Sequence, residues 1–164
     1  MKTTTPYSRA AEALRKRLEL VLSDKALKLY DNGIKTPVLS IGLGQARPAR
    51  MAWINPMPYE VQMQGSATSH QYRTEFILRT YLLCTSTDFN DAVKQVTYWA
   101  DAIVIGISAD ATLGREVDRC IPRISDAGYD FTPERRFVAA IEIETSMSVY
   151  DMASEEFRRL VSEG

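Results

Sequence analysis

The chain has 164 residues, of which 45% are apolar and 25% charged, with a net charge of −1 at neutral pH. That length suits one domain burying roughly two thirds of its unfolded surface, and the composition excludes wholesale disorder. The near-zero charge gives no general attraction to nucleic acid or to an anionic membrane.

In chain order, Ser8 is placed to cap a helix from Arg9 to about Ser23. Ala10, Ala11, Leu14, Leu18, Val21 and Leu22 recur at the three-and-four spacing of one buried stripe. Asp31-Asn32-Gly33 reads as a turn, because Asn and Gly tolerate positive φ. Val38 to Ile41, preceded by Pro37, reads as a short strand or edge. From Gly42 to His70 no period holds, and glycines and prolines punctuate a long apolar loop carrying Met51, Trp53, Ile54, Met57, Tyr59, Val61 and Met63. Loops of that length are uncommon in compact domains and tend to be functional. Either this one folds back on its own domain as an irregular hairpin, or it extends onto a neighbouring chain, which its Met, Trp and Tyr suit.

Tyr72 to Thr85 alternates as a long strand, with Tyr72, Thr74, Phe76, Leu78, Thr80, Leu82 and Cys84 on one face. Its other face carries Arg73, Glu75, Ile77, Arg79, Tyr81 and Leu83. Asp88 then caps a helix to about Ile107, whose stripe is Phe89, Ala92, Val93, Val96, Ala100, Ile103 and Ile107. Ala102, Val104 and Ile105 widen that stripe; a strand over Ala102–Ser108 is the competing reading. After Asp110-Ala111-Thr112-Leu113-Gly114, Glu116 to about Ser125 reads as a strand in which Pro122 forces an edge or a bulge. Asp126-Ala127-Gly128 and Thr132-Pro133-Glu134 read as turns, Arg136 to Met147 as a half-buried strand, and about 151–164 as a short acidic helix. Residues 1–28 hold seven basic against three acidic side chains, and residues 142–164 two against six, so the two ends can meet within or between subunits.

Chemistry is thinly represented. His70 is the only histidine, which removes His-rich zinc sites and leaves any triad resting on one loop residue. Gly42-Leu43-Gly44 lacks the third glycine of a dinucleotide fingerprint. Glu142 and Glu144 share a strand face and read as its wetted side; acid–base work would need environments that split their pKa values. Cys84 and Cys120 are too few and too far apart for a disulfide framework or a cysteine-rich metal site, and read as small core residues. Arg47, Arg50, Arg73 and Arg79, with Trp53, are the candidates for a basic, aromatic surface. No apolar segment follows the N-terminus and no uncharged run approaches the roughly 20 residues of a membrane helix, so the chain reads as cytosolic with reduced thiols. These observations favour an assembly part without catalytic, cofactor or metal residues.

The order helix, strand, long apolar hairpin-like loop, long strand, helix, Asp-x-Thr-Leu-Gly and two strands resembles the tail terminator (tail completion) proteins of long-tailed bacteriophages. The likeness is carried by Glu75–Leu82, by the helix around Ala92 to Ile107, by Asp110–Gly114 and by Arg136–Ile143. The family often doubles the glycine after the leucine, whereas Arg115 follows Gly114 here. The resemblance implies one α/β (α+β) domain over residues 1–164, mainly an antiparallel sheet with helices on one face, plus the extended hairpin-like loop 42–70. It implies a structural virion protein and not an enzyme. Six copies would form a ring that caps the tail tube, ends elongation and provides the head-joining surface. Expected partners are the chain itself as a homohexamer, the tail tube protein and a head-completion or connector protein. DNA would pass through the lumen without sequence-specific binding, and no membrane or cofactor is involved. The location would be the host cytoplasm during assembly, then the virion neck. Candidate interface residues are Arg47, Arg50, Met51, Trp53, Ile54, Met57, Tyr59, Arg73 and Arg79. Another phage neck ring protein and a small cellular α/β binding module are the alternative readings.

Overall fold

The computed structural model describes residues 4–65, 71–152 and 155–163. Helix α1 spans Pro6–Val21 and begins earlier than the Ser8 cap implies. Thr5 takes the cap instead, its hydroxyl accepting from Ser8 N, and Pro6 occupies the first turn, where its missing N–H has no partner to lose. A short α2 (Asp24–Leu27), capped by Ser23, comes next and has no counterpart among the expected elements. The turn at Asp31 is held by the Asp31 carboxylate, which accepts from Gly33 N at 2.6 Å, and Gly33 does not need positive φ.

The remaining strands form one six-stranded sheet: β1 (Val38–Ile41), β2 (Arg50–Ile54), β3 (Tyr59–Gly65), β4 (Gln71–Ser86), β5 (Arg119–Phe131) and β6 (Phe137–Met152). Its order is β1-β2-β4-β6-β5, and β3 pairs with the far end of β4 on the same side as β2. All pairings are antiparallel except β1 with β2. The segment 42–70 is therefore not one structureless loop, because β2 and β3 both lie along β4. Asn55, Pro56 and Pro58 separate those two strands, and this break hides their period in the sequence. The closing residues 66–70 of that segment, His70 included, lie outside the described residues.

The alternation in β4 holds: Thr74, Phe76, Leu78, Thr80, Leu82 and Cys84 are buried, and the residues between them are half-buried. Helix α3 (Phe89–Ala109) is capped by Asp88, whose side chain accepts from Asn90 N, and it runs through the stretch for which a strand was the competitor. Its buried side includes Gln95, Trp99 and Gly106 besides the apolar stripe, whereas Ile105 faces out at 54% exposure. β5 is an edge strand containing Pro122, and it runs through Asp126-Ala127-Gly128, where a turn was expected. A bulge at Ser125 shifts the register there, so the polar triplet is part of the strand. β6 continues past Met147 to Met152, and α4 (Glu155–Glu163) buries none of its residues.

The core lies between the sheet and the helices α1 and α3, with Leu14, Leu18, Trp99, Ile103 and Ile107 against Leu78, Leu82 and Ile143. Trp99 Nε1 donates to Lys35 O at 2.8 Å; Gln95 accepts from Lys35 N and donates to Gly33 O, each at 2.8 Å. Those bonds satisfy a buried indole and amide and fasten the segment before β1 to α3. The fold is thus α+β, with α1 and α3 on one face of a mixed sheet.

Candidate interaction surface

The face of the sheet turned away from α1 and α3 holds every second residue of the central strands. On β4 these are Arg73, Glu75, Ile77, Arg79, Tyr81 and Leu83; opposite them on β6 stand Tyr150, Ser148, Ser146, Glu144, Glu142 and Ala140. Register brings Met51 beside Leu83 and Trp53 beside Tyr81. The Trp53 and Tyr81 rings stack, with centroids 4.4 Å apart and planes at 21°. Together with Leu43, Ala140, Ala127 and Gly128 they line a shallow groove of about 380 Å³, with Arg47 at one rim and Asp126 and Glu142 at the other. The small residues of β5 and β6 make the floor, and the stacked aromatics make a wall.

Beside the groove, Arg79 lies under the Tyr59 ring, its guanidinium carbon 3.9 Å from the centroid. It is also 3.4 Å from Glu142 and 3.5 Å from Glu144. Arg123 reaches Glu144 at 2.7 Å, and Ser125 donates to Glu142 at 3.0 Å. The Arg123 hydrogen bond holds the Glu144 carboxyl below the usual carboxylate range. Both glutamates therefore serve as acceptors in an ionic network across three strands.

The candidate interface residues divide. Arg47, Met51, Trp53, Tyr59 and Arg79 share the open face. Met57 sits in the turn after β2 at 72% exposure, and Arg73 lies near the far end of β4, paired with Glu75 and 6.0 Å from the Tyr150 ring. Ile54 is fully buried toward the helices, and Arg50, opposite Cys84, belongs to that same side. Those two are corrections: alternation along β2 turns them away from the open face. The four arginines likewise do not gather into a basic surface, since Arg73 and Arg79 meet carboxylates and Arg50 faces the other way. Tyr81, Leu83 and Ala140 read from sequence as ordinary strand positions and Gly128 as part of a turn, yet all four line the groove; only Tyr81 and Leu83 carry a signal, the half-apolar second face of β4.

A second groove, of about 520 Å³, runs between α1 and the turn after α3, past Arg9, Lys16, Arg17, Leu20 and Leu113. In that turn the Asp110 carboxylate accepts from Thr112 Oγ1 at 2.7 Å, from Gly114 N at 2.8 Å and from Thr112 N at 3.2 Å. These donors, the Thr112 hydroxyl foremost, hold the Asp110 carboxyl below its usual range. Leu113, Gly114 and Arg115 are all left-handed, with φ of 48°, 71° and 71°. Among the described residues, the oppositely charged ends of the chain meet where Arg9 pairs with Asp151, whose carboxylate also accepts from the Tyr72 hydroxyl.

Cys84 and Cys120 are buried and free; burial raises the Cys84 thiol and pushes Cys120 up to about 12, so both stay protonated. Among the described residues no group of three His, Cys, Asp or Glu side chains is arranged to hold a metal, and no helix is long and apolar enough to cross a membrane. Compared with known proteins, the chain matches no family model and no curated protein sequence.

Proposed function

We propose that this chain is a structural virion protein of a long-tailed bacteriophage, a tail terminator rather than an enzyme. Six copies close into a ring on the finished tail tube, stop its elongation and present the surface to which the head is joined. The observation that carries this reading is the open sheet face: α1 and α3 cover one side, while the other keeps a stacked Trp53–Tyr81 pair over a small-residue floor. Apolar, aromatic surface on a sheet marks a contact surface more often than a reaction centre. The left-handed φ of Arg115 adds to it, because a second glycine would suit that position, and the resembling family often has one there.

Ring closure needs two different surface patches that meet head to tail. The groove on the open face supplies one of them, and the tip end of the sheet, with its exposed Met63 and Tyr150, lies far from that groove along the strands. Adding the chain to polymerising tail tube protein from the same genome tests the function. Growth that halts, with rings seen at one tube end, is the expected result; growth that continues unchanged with bare ends would overturn the proposal.

A further inference from the structure

Besides the groove and the tip, the sheet has unpaired edges. Its order begins at β1 and ends at β5, and among the described residues each of these strands has a strand neighbour on one side alone. Backbone N–H and C=O groups along such an edge are ready to pair with another strand. The two edges stand at one height. Register carries a row from Val38 on β1 through Met51, Leu83 and Ala140 to Gly128 on β5, and the row two residues on ends at Ser40 and Asp126. Following the strand senses across those rows makes β1 and β5 antiparallel to each other.

The two halves of β5 differ as edges. Pro122, the basic Arg119 and Arg123 and the bulge at Ser125 guard the first half against pairing. From Asp126 to Phe131 there is no proline and no basic side chain. Tyr129 and Phe131 are 71% and 55% exposed there, leaning on Phe89 and Phe137 on the helix side. On the open face, Asp126 and Asp130 make no ion pair among the described residues; each accepts only from the backbone N–H that follows it. Beside β1, in the link to β2, Arg47 lines the groove and also lacks an ion pair among the described residues.

We infer that β1 of one subunit pairs, antiparallel, with the Asp126–Phe131 half of β5 in a second copy. The inference rests on the ring reading and names a lateral contact for it. The joint brings the Arg47 rim of one groove to the Asp126 rim of the next, so opposite charges meet. On the helix side it sets Leu39 and Ile41 beside Ala127 and Tyr129, apolar against apolar. Two different edges meet, which makes the contact heterologous and able to close a ring. Other pairings fit less well. β5 on β5, centred at Gly128, would oppose Asp126 to Asp130, and like charges directly opposite are destabilising. The free edge of β3 is broken between Tyr59 and Gln62, where Glu60 has a φ of 49°, and it brings a glutamate and no cation to those carboxylates.

Cysteine crosslinking of the full chain tests it, with Val38→Cys and Gly128→Cys combined in one variant. Val38 is 57% exposed, and a Cβ at Gly128 meets nothing within 4 Å. Within one subunit the two positions are four strand spacings apart, about 19 Å, too far for a disulfide. The native Cys84 and Cys120 are buried. Oxidation, or a short bismaleimide that tolerates a shifted register, is expected to give a ladder of linked chains ending at six, while either single variant stops at dimers. Assemblies that form without the ladder would sink the edge joint and leave the ring itself standing. An unaltered chain that never self-associates would sink both. In parallel, Asp126→Arg is expected to weaken assembly about tenfold, and adding Arg47→Glu to recover most of that loss. A loss that the second change leaves in place would contradict the meeting of these two rims.

Discussion

Arg115 occupies a conformation that costs a side-chain-bearing residue roughly 1–2 kcal/mol, because a left-handed φ brings Cβ against the following carbonyl. Glycine removes that penalty but gives up about 0.5–1 kcal/mol through the greater freedom of the unfolded chain. Arg115→Gly is therefore expected to raise stability by up to about 1 kcal/mol in chemical denaturation, and a loss of stability would show that the Arg115 side chain makes a compensating contact. Five residues earlier, the Asp110 carboxylate is held below its ordinary range by Thr112 and Gly114. A depressed folded-state pKa stabilises above the unfolded value and is lost as pH falls through the folded one. The stability difference between the chain and its Asp110→Asn variant is accordingly expected to be present from neutrality down to about pH 4 and to shrink below it. A difference that grows on acidification would contradict the hydrogen-bonded cradle.

At the scale of elements, the α1–α3 crossing depends on a missing side chain. A Cβ at Gly106 would lie 2.2 Å from Val21 Cγ1, and Arg17 donates to Gly106 O at 2.8 Å beside it. Gly106→Ala is expected to cost about 1–3 kcal/mol despite the better helix propensity of alanine, since Val21 is stiff at χ1 and the helices must part. Adding Val21→Ala should return part of that cost, a coupling that a double-mutant cycle reads directly. Toward the other end of α3, Gln95→Leu leaves Lys35 N and Gly33 O without their side-chain partner and is expected to cost about 1–3 kcal/mol in denaturant unfolding. Such roles explain what the sequence could reveal. β4 and β6 were legible because their alternation runs unbroken through a half-buried sheet, and α3 because Asp88 caps a long apolar stripe. β2 and β3 were not, because Pro56 and Pro58 interrupt the period, and the bulge at Ser125 disguised the second half of β5 as a turn. Gln95 and Trp99 escaped notice because their reason for burial lies in backbone groups some sixty residues away.

For the whole molecule, the candidate surface was half visible. Met51, Trp53, Tyr59 and Arg79 stood out as apolar, aromatic or basic residues, and they do share one face. Ile54 and Arg50 stood out for the same reasons and belong to the other face, because only strand register assigns sides. The groove floor of Ala140 and Gly128 has no local signature at all; it exists because β5 and β6 align small residues opposite Leu83. An uncovered aromatic sheet face supports the proposed association with further copies, and the mass in solution decides it. Light scattering after gel filtration, over a range of protein concentrations, should give a species six times the mass of one chain that grows with concentration at the expense of the monomer. A chain that stays at the mass of one subunit throughout, or stops at a dimer, would contradict the ring.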